Sequence, residues 1–264
     1  MTPHGLETIT RRSDPAVQRI VDISKPRFKP GSVMFLEDEL PVAEAIRSGV
    51  RLVEVYADES RVPEELVRLC ASYGVPFRLI ASPLMSAIFK SGRRPDVVAV
   101  ATTPRPARLK EIDLGSGDVV ILDGVRIVGN IGAIVRSAFA LGAAGVVLCD
   151  SELDTVMDRR LVRASRGYVF SLPVVLAEAD EVLAWARPRC RLVGLAADGD
   201  TTMSRVSELD EPLGLVFGSE LRGMSPGVGA AVDLTATIPM IEGAESLNVS
   251  VAAGIALFAR SRLR

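Results

Sequence analysis

Three polar or glycine-rich turns, each directly after an apolar strand-like run, hold most of the side chains in this chain that could do chemistry. The first is Asn130-Ile131-Gly132-Ala133-Ile134-Val135-Arg136 and the second Phe217-Gly218-Ser219-Glu220-Leu221-Arg222-Gly223. The third runs from Ile238-Pro239-Met240 on through Glu245-Ser246-Leu247-Asn248-Val249-Ser250. Turns of this kind can meet at the carboxyl edge of a parallel sheet, where α/β proteins bind nucleotide-like ligands.

The rest of the composition narrows what such a pocket could do. The single histidine, His4, lies in the terminal segment, which removes His-based triads, most zinc hydrolases and histidine general bases. Cys70, Cys149 and Cys190 are odd in number and scattered, so they read as buried small hydrophobes rather than a disulfide framework or a metal site. With 48% hydrophobic and 24% charged residues, the 264-residue chain can bury a solid core. No run has the length of a membrane span and Met1 to Arg12 lacks a signal peptide's apolar stretch, so a cytoplasmic protein is expected. The net charge of −2 does not advertise a nucleic-acid binder, yet cations cluster locally. Arg11, Arg12, Arg19, Lys25, Arg27 and Lys29 form one group, Lys90, Arg93 and Arg94 a second, and Arg159, Arg160, Arg163 and Arg166 a third. Such patches are compatible with RNA binding.

Taken singly, each turn has an ordinary structural use. Asn130 would cap the next helix, whose apolar stripe (Ile131, Ile134, Val135, Ala138) leaves Arg136 on another side. Gly124, Gly129 and Gly132 are spaced G-x4-G-x2-G, which is not the dinucleotide-binding pattern, so a nicotinamide-dependent oxidoreductase is disfavoured. Gly218 permits a tight turn and Glu220 suits a helix start. Pro239 stops its strand from continuing as a central one, and Ser246 is a natural helix cap. Capping explains one polar group of the third turn and not three.

The elements that must position these turns alternate throughout. In the first half, helices are predicted over 15–24, 41–48 and 63–73 and from Ser82, with strands at 33–36, 52–56, 77–80 and 97–101. Residues 1–103 thus form a small α/β/α domain, and 104–117, with two prolines and a Gly-Ser-Gly end, form a linker. Residues 118–264 alternate more cleanly, with strands at 119–122, 145–148, 192–196, 213–217 and 234–238. Helices are predicted at 131–141, 153–164 and 179–187, and from about Asn248 to the end.

The three ordered motifs, N-x-G-x-x-x-R, apolar-Gly-Ser-Glu and I-P-M…S-L-N, resemble those of the SpoU class of S-adenosylmethionine (AdoMet)-dependent RNA ribose 2′-O-methyltransferases. Further segments are similar to the thiostrepton/nosiheptide-resistance ribosomal RNA methyltransferases. These are Asp14 to Ser24, Pro104 to Arg108, Gly124 to Arg136 and Ala164 to Pro173, so that the likeness covers most of the chain. The resemblance implies an α/β fold with a C-terminal trefoil-knotted methyltransferase domain, preceded by a ribosomal-protein-like RNA-binding domain, in a homodimer. It also implies AdoMet as methyl donor, no metal, and 2′-O-methylation of an adenosine of 23S rRNA where thiopeptide antibiotics bind.

By resemblance, Arg136 is the catalytic arginine, supported by Asn130, with Glu220, Ser246 and Asn248 completing the site. AdoMet would be held by Leu195, Gly218, Ser219, Glu220, Ile238, Pro239, Met240, Leu247, Asn248 and Val249. RNA would meet Arg19, Lys25, Arg27, Lys90, Arg93, Arg94 and Arg166. Leu221-Arg222-Gly223-Met224-Ser225 departs from the resistance enzymes' Lys-Gly-Gly-Pro-Ser, and this bears on the target nucleotide more than on the reaction. The alternatives are a SpoU-class enzyme acting on another rRNA or tRNA nucleotide, or a non-catalytic ribosomal RNA-binding protein.

Overall fold

Runs of β-branched residues separated by amphipathic segments build two sheets in the computed structural model, which describes residues 5–25, 31–89 and 94–261. The chain divides into two compact units. One comprises Met1–Arg105 with Met157–Phe170, the other Pro106–Val156 with Ser171–Arg264.

The first unit holds β1 (Thr8–Ile9), β2 (Val33–Glu37), β3 (Leu52–Asp58), β4 (Phe77–Ile80) and β5 (Val97–Thr102), in the order β1-β4-β3-β5-β2. β5 runs antiparallel to both of its neighbours, and the other pairs are parallel. The Pro15–Ile23 helix starts as its sequence dictates, because the Asp14 side chain accepts from the Ala16 N–H at 2.8 Å and proline occupies a position that needs no donor. It buries Val17 and Ile20 against Phe35, Tyr56, Val98 and Val100.

A segment lying between two strands of the second sheet belongs to this first unit. The helix predicted over 153–164 forms only at Arg159–Ala164, because Asp150 and Glu152 take positive φ of 49° and 60°, and Asp158 then caps a new start. Arg159 forks both sides of the buried Glu37 carboxylate, donates to the Ser24 carbonyl at 2.8 Å and stacks 4.8 Å from the Phe35 ring centre. A Cβ on Gly167 would lie 2.9 Å from the Pro41 Cα, so only glycine allows this approach.

The second unit is a parallel sheet of β6 (Val119–Asp123), β7 (Gly145–Cys149), β8 (Val174–Leu176), β9 (Arg191–Leu195), β10 (Thr201–Thr202), β11 (Leu213–Gly218) and β12 (Leu234–Thr237). The order is β10-β12-β9-β11-β6-β7-β8, so the chain builds outward from β6 to β8 and then crosses to the other side. β11 slots in between β6 and β9, so the strand order reverses beside β6.

The Val249–Arg260 helix packs against the Val128–Ala140 helix beside this sheet. At its far end the buried Arg260 guanidinium uses all five N–H donors. It bonds both Asp118 oxygens, at 2.7 and 3.1 Å, and the carbonyls of Val206, Leu209 and Glu211.

The three cysteines are buried and free; desolvation pushes Cys149 up to about 12 and Cys70 and Cys190 up to about 11. Among the described residues no helix is long and apolar enough to cross a membrane, and no cluster of His, Cys, Asp and Glu could hold a metal.

Candidate active site

A cleft of about 350 Å³ opens where β9, β11 and β12 end and the last helix begins. Leu195, Gly218, Ser219, Glu220, Ile238, Met240, Leu247 and Val249 line it, as does Ser246. Pro239 and Asn248, the two other residues expected around a cofactor, are not in its wall. Sequence reading missed Asp198, Phe217, Met224, Thr237 and Ala252, which also line it. Their signal was weak, since each is an ordinary residue next to a strand end or one helical turn beyond a motif.

Gly218 lets the second motif fold back on itself. A Cβ there would lie 2.1 Å from the Gly223 carbonyl carbon and 2.2 Å from the Met224 nitrogen, which no side chain tolerates. The turn is closed by Ser219 N–H to Gly223 O at 3.0 Å and Gly223 N–H to Ser219 O at 2.8 Å. Beyond it, the buried Asp123 carboxylate at the end of β6 accepts from the Ser225 N–H at 2.6 Å, tying the turn's exit to the neighbouring strand.

Asn130 is not the cap that its position suggests. The helix starts two residues earlier, at Val128, because the Ile127 carbonyl accepts from both Asn130 and Ile131 N–H. The Asn130 carboxamide is therefore free to donate to the Glu220 carboxylate, and its own oxygen accepts from Asn248 Nδ2 at 3.3 Å. Asn248, rather than Ser246, caps the last helix, accepting from Ser250 N–H at 2.9 Å and Ser250 Oγ at 2.6 Å. Ser246 stays exposed in the cleft wall. Residues 90 to 118 positions apart in sequence thus form one hydrogen-bonded chain from a helix cap to a carboxylate.

Arg136 stands on the same helix as Asn130, half-buried, while Ile131, Ile134, Val135 and Ala138 face the core. Among the described residues no carboxylate pairs with it, so its guanidinium has donors to offer an incoming anion.

The basic residues expected to meet RNA fall into three situations. Arg19 and Arg166 are exposed, the latter at a positive φ of 56°, and Lys25 is exposed beside Asp22 at 2.7 Å. Arg94 instead pairs with the buried Asp58 at 2.7 Å and bonds Ser86. Burial alone would raise the Asp58 carboxyl, but hydrogen bonds from Ser82 and Ser60 and the Arg94 charge outweigh it and hold it below its ordinary value. Arg27, Lys90 and Arg93 lie outside the described residues.

The cleft suits a nucleoside bearing a positive charge. Its walls are apolar side chains and strand-end backbone, its ionisable lining residues are the carboxylates Asp198 and Glu220, and its volume falls at the lower end of small-molecule sites. An acidic rim over an apolar floor matches AdoMet, which joins an adenine to a sulfonium and an ammonium.

A parallel sheet with a cleft at the carboxyl ends of β9, β11 and β12, lined by the segments that follow these strands, defines a nucleotide-cofactor-binding α/β protein. Residues 118–258 match the SpoU rRNA methylase family and residues 6–115 match the thiostrepton-resistance methylase N terminus, and the chain belongs to this family. It is 48% identical over 257 residues to a 23S rRNA (adenosine(1067)-2′-O)-methyltransferase of Streptomyces azureus, covering 97% of this chain and 96% of the relative. A protein of the same description from Streptomyces laurentii is 49% identical over 260 residues, covering 98% and 96%. The crystal structure of the SpoU methyltransferase AviRb from Streptomyces viridochromogenes, in complex with AdoMet, superposes with a TM-score of 0.76 at 30% identity, covering 94% of this chain and 97% of the other.

Proposed function

We propose that the protein transfers a methyl group from AdoMet to the ribose 2′-hydroxyl of an adenosine in 23S rRNA, at the site that thiopeptide antibiotics occupy, and so confers resistance of the thiostrepton type. One observation carries this reading. Asn130 in the first turn of one helix, Glu220 in the turn after β11 and Asn248 at the cap of the last helix are hydrogen-bonded beside a cleft shaped for a charged nucleoside. Similarity along almost the whole chain to enzymes described as acting on a 23S rRNA adenosine supports the substrate.

In this reading Leu195, Gly218, Ile238, Met240, Leu247 and Val249 hold the donor, which supplies an electrophilic sulfonium methyl when bound. The protein's own task is to align the ribose oxygen and stabilise its developing charge as the hydroxyl proton leaves to solvent and the methyl–sulfur bond breaks to a neutral thioether. Alignment can supply roughly 7–11 kcal/mol of a barrier. The Arg136 guanidinium stabilises the developing alkoxide. Asn130 and Asn248 fix the Glu220 carboxylate, and Ser246 offers a hydroxyl within the cleft wall.

Residues 1–103 would grip the RNA through Arg19 and Lys25, joined by Arg166 from the 157–170 segment of the same unit, and 104–117 would serve as the linker. The last helix, returning against the Val128–Ala140 helix, would close a trefoil knot, one of the exceptions to un-knotted topology. A homodimer is supported by Val251, Ile255 and Phe258, which form an exposed stripe at helical spacing on that helix. The cytoplasm, where ribosomes are assembled, is the compartment.

The test is incubation with labelled AdoMet and fragments of 23S rRNA, followed by mapping of the modified position. Transfer to one adenosine in the thiopeptide-binding segment is expected. Binding of the fragment without transfer would point to a non-catalytic RNA-binding protein.

A further inference from the structure

The turn that carries Glu220 presents an apolar side chain with nothing to cover it. Leu221 is 97% exposed at the tip of the turn closed by Ser219 and Gly223. The turn is not loose. Arg222 N–H donates to Ser219 Oγ at 3.2 Å, Asp123 holds Ser225, and Asn130 holds Glu220. Glycine, asparagine, aspartate and serine are the residues that favour such tips, and leucine has no turn-forming reason to be there. On the next strand-end turn Ile241 is 84% exposed, directly after Met240. Leu221 and Ile241 therefore each follow a residue lining the cleft, Glu220 and Met240 respectively. Between Leu221 and Gly223, Arg222 is exposed, and among the described residues its guanidinium has no ion-pair partner.

We propose that Leu221 is a wedge that packs on the unstacked base of the nucleotide being methylated, with Ile241 as a second apolar contact and Arg222 on an adjoining phosphate. This rests on the ribose methyltransferase reading of the cleft. The chemistry of the tip selects the occupant. A leucine beside an unpaired cation matches a base beside a phosphate, whereas the apolar stripe of Val251, Ile255 and Phe258 supplies a separate face for a second copy of the chain. Bringing a ribose hydroxyl to a cleft requires the nucleotide to leave its stack, and an apolar side chain covering the bared face of its base offsets that unstacking. Leu221 would then help choose the target, because it meets the base while the reaction occurs on the sugar.

That separation allows a direct experiment. An RNA fragment with an abasic residue at the mapped position keeps its 2′-hydroxyl but loses the base. With intact RNA, Leu221→Ala is expected to lower kcat/KM about ten-fold, which corresponds to about 1.4 kcal/mol and is within the burial value of a leucine side chain. With abasic RNA the variant and the wild type should react alike. 2-Aminopurine at the same position should brighten on binding the wild type and brighten less with Leu221→Ala, a readout that needs no turnover. An equal loss on intact and abasic RNA, or no loss on either, would overturn the wedge. Dissociation of a dimer by Leu221→Ala, seen in sedimentation, would assign the tip to a second copy of the chain and also overturn it. Failure of the wild type to methylate any ribose would instead defeat the functional reading beneath it.

Discussion

Replacing Arg260 by alanine should unfold the second unit far more readily than any comparable change to a surface arginine. The Arg260 side chain is 6% exposed and its partner Asp118 10%. All five of its donors are used, on one carboxylate and three carbonyls from the 206–211 segment. Removing it leaves Asp118 with only the Leu213 N–H at 2.9 Å and strips three carbonyls of a donor. Breaking a buried pair from one side costs roughly 3–5 kcal/mol. For a chain of this size that corresponds to a fall in Tm of roughly 6–20 °C. Arg126 is the internal control. It pairs with Asp150 at 2.7 Å and Glu152 at 2.6 Å, but it is 48% exposed and its partners more so, and water screens such pairs until they contribute little. Thermal and urea unfolding of Arg260→Ala, Arg260→Lys and Arg126→Ala would show the ranking. Lysine keeps the charge but not the fork, so it should fall in between. The first turn of the same helix lines the cleft through Val249 and Ala252, so Arg260→Ala should also weaken AdoMet binding measured by calorimetry. An Arg260→Ala protein within about 1 kcal/mol of wild type would refute the claim that this guanidinium locks the C-terminal helix in place.

Further expectations follow from the same contacts. Gly218→Ala forces a Cβ onto the Gly223–Met224 peptide and should abolish measurable AdoMet binding by calorimetry. Asn130→Asp places a second carboxylate against Glu220, and methyl transfer should drop while the unfolding midpoint changes little, since both groups are near the surface. Arg136→Lys keeps the charge but loses guanidinium geometry, and kcat should fall at least about ten-fold, the equivalent of one lost transition-state hydrogen bond. Arg159→Ala leaves Glu37 buried without its partner and should destabilise the first unit by roughly 2–4 kcal/mol in urea unfolding, because Glu37 is buried but Arg159 remains 34% exposed. Native Cys149 stays protonated up to about 12, while an unfolded thiol ionises near about 8.5. The unfolded state therefore binds fewer protons above that pH, and the thiol's contribution, intact below it, should be lost progressively as pH rises. Urea midpoints measured on either side of this boundary would show the decline.

Most strands were legible because apolar β-branched runs covered on both faces leave little ambiguity. Those at 119–123, 145–149 and 213–218 extend the expected ones by a residue. Three short strands, Thr8–Ile9, Val174–Leu176 and Thr201–Thr202, were invisible because two or three residues carry no period. The helix expected over 153–164 was shortened by backbone turns at Asp150 and Glu152 that composition does not announce. Nor could sequence show that Met157–Phe170 belongs to the first unit, since the Arg159–Glu37 contact joins residues 122 apart. At the site, the second and third turns line one cleft, whereas the first meets it only through the Asn130 hydrogen bonds, which no sequence pattern announces. Asn130 and Ser246 both have the local signature of a cap, and only the folded chain assigns the cap to Asn248 and frees Asn130 for Glu220.

The claim that this cleft serves a sugar hydroxyl is tested most directly by the chemical identity of the product. RNA modified with labelled AdoMet is digested to nucleosides and separated. The account predicts that the label resides in 2′-O-methyladenosine, and that Arg136→Ala and Gly218→Ala abolish it. Label on an adenine ring, or in the wild type none at all with the correct 23S fragment, would contradict it.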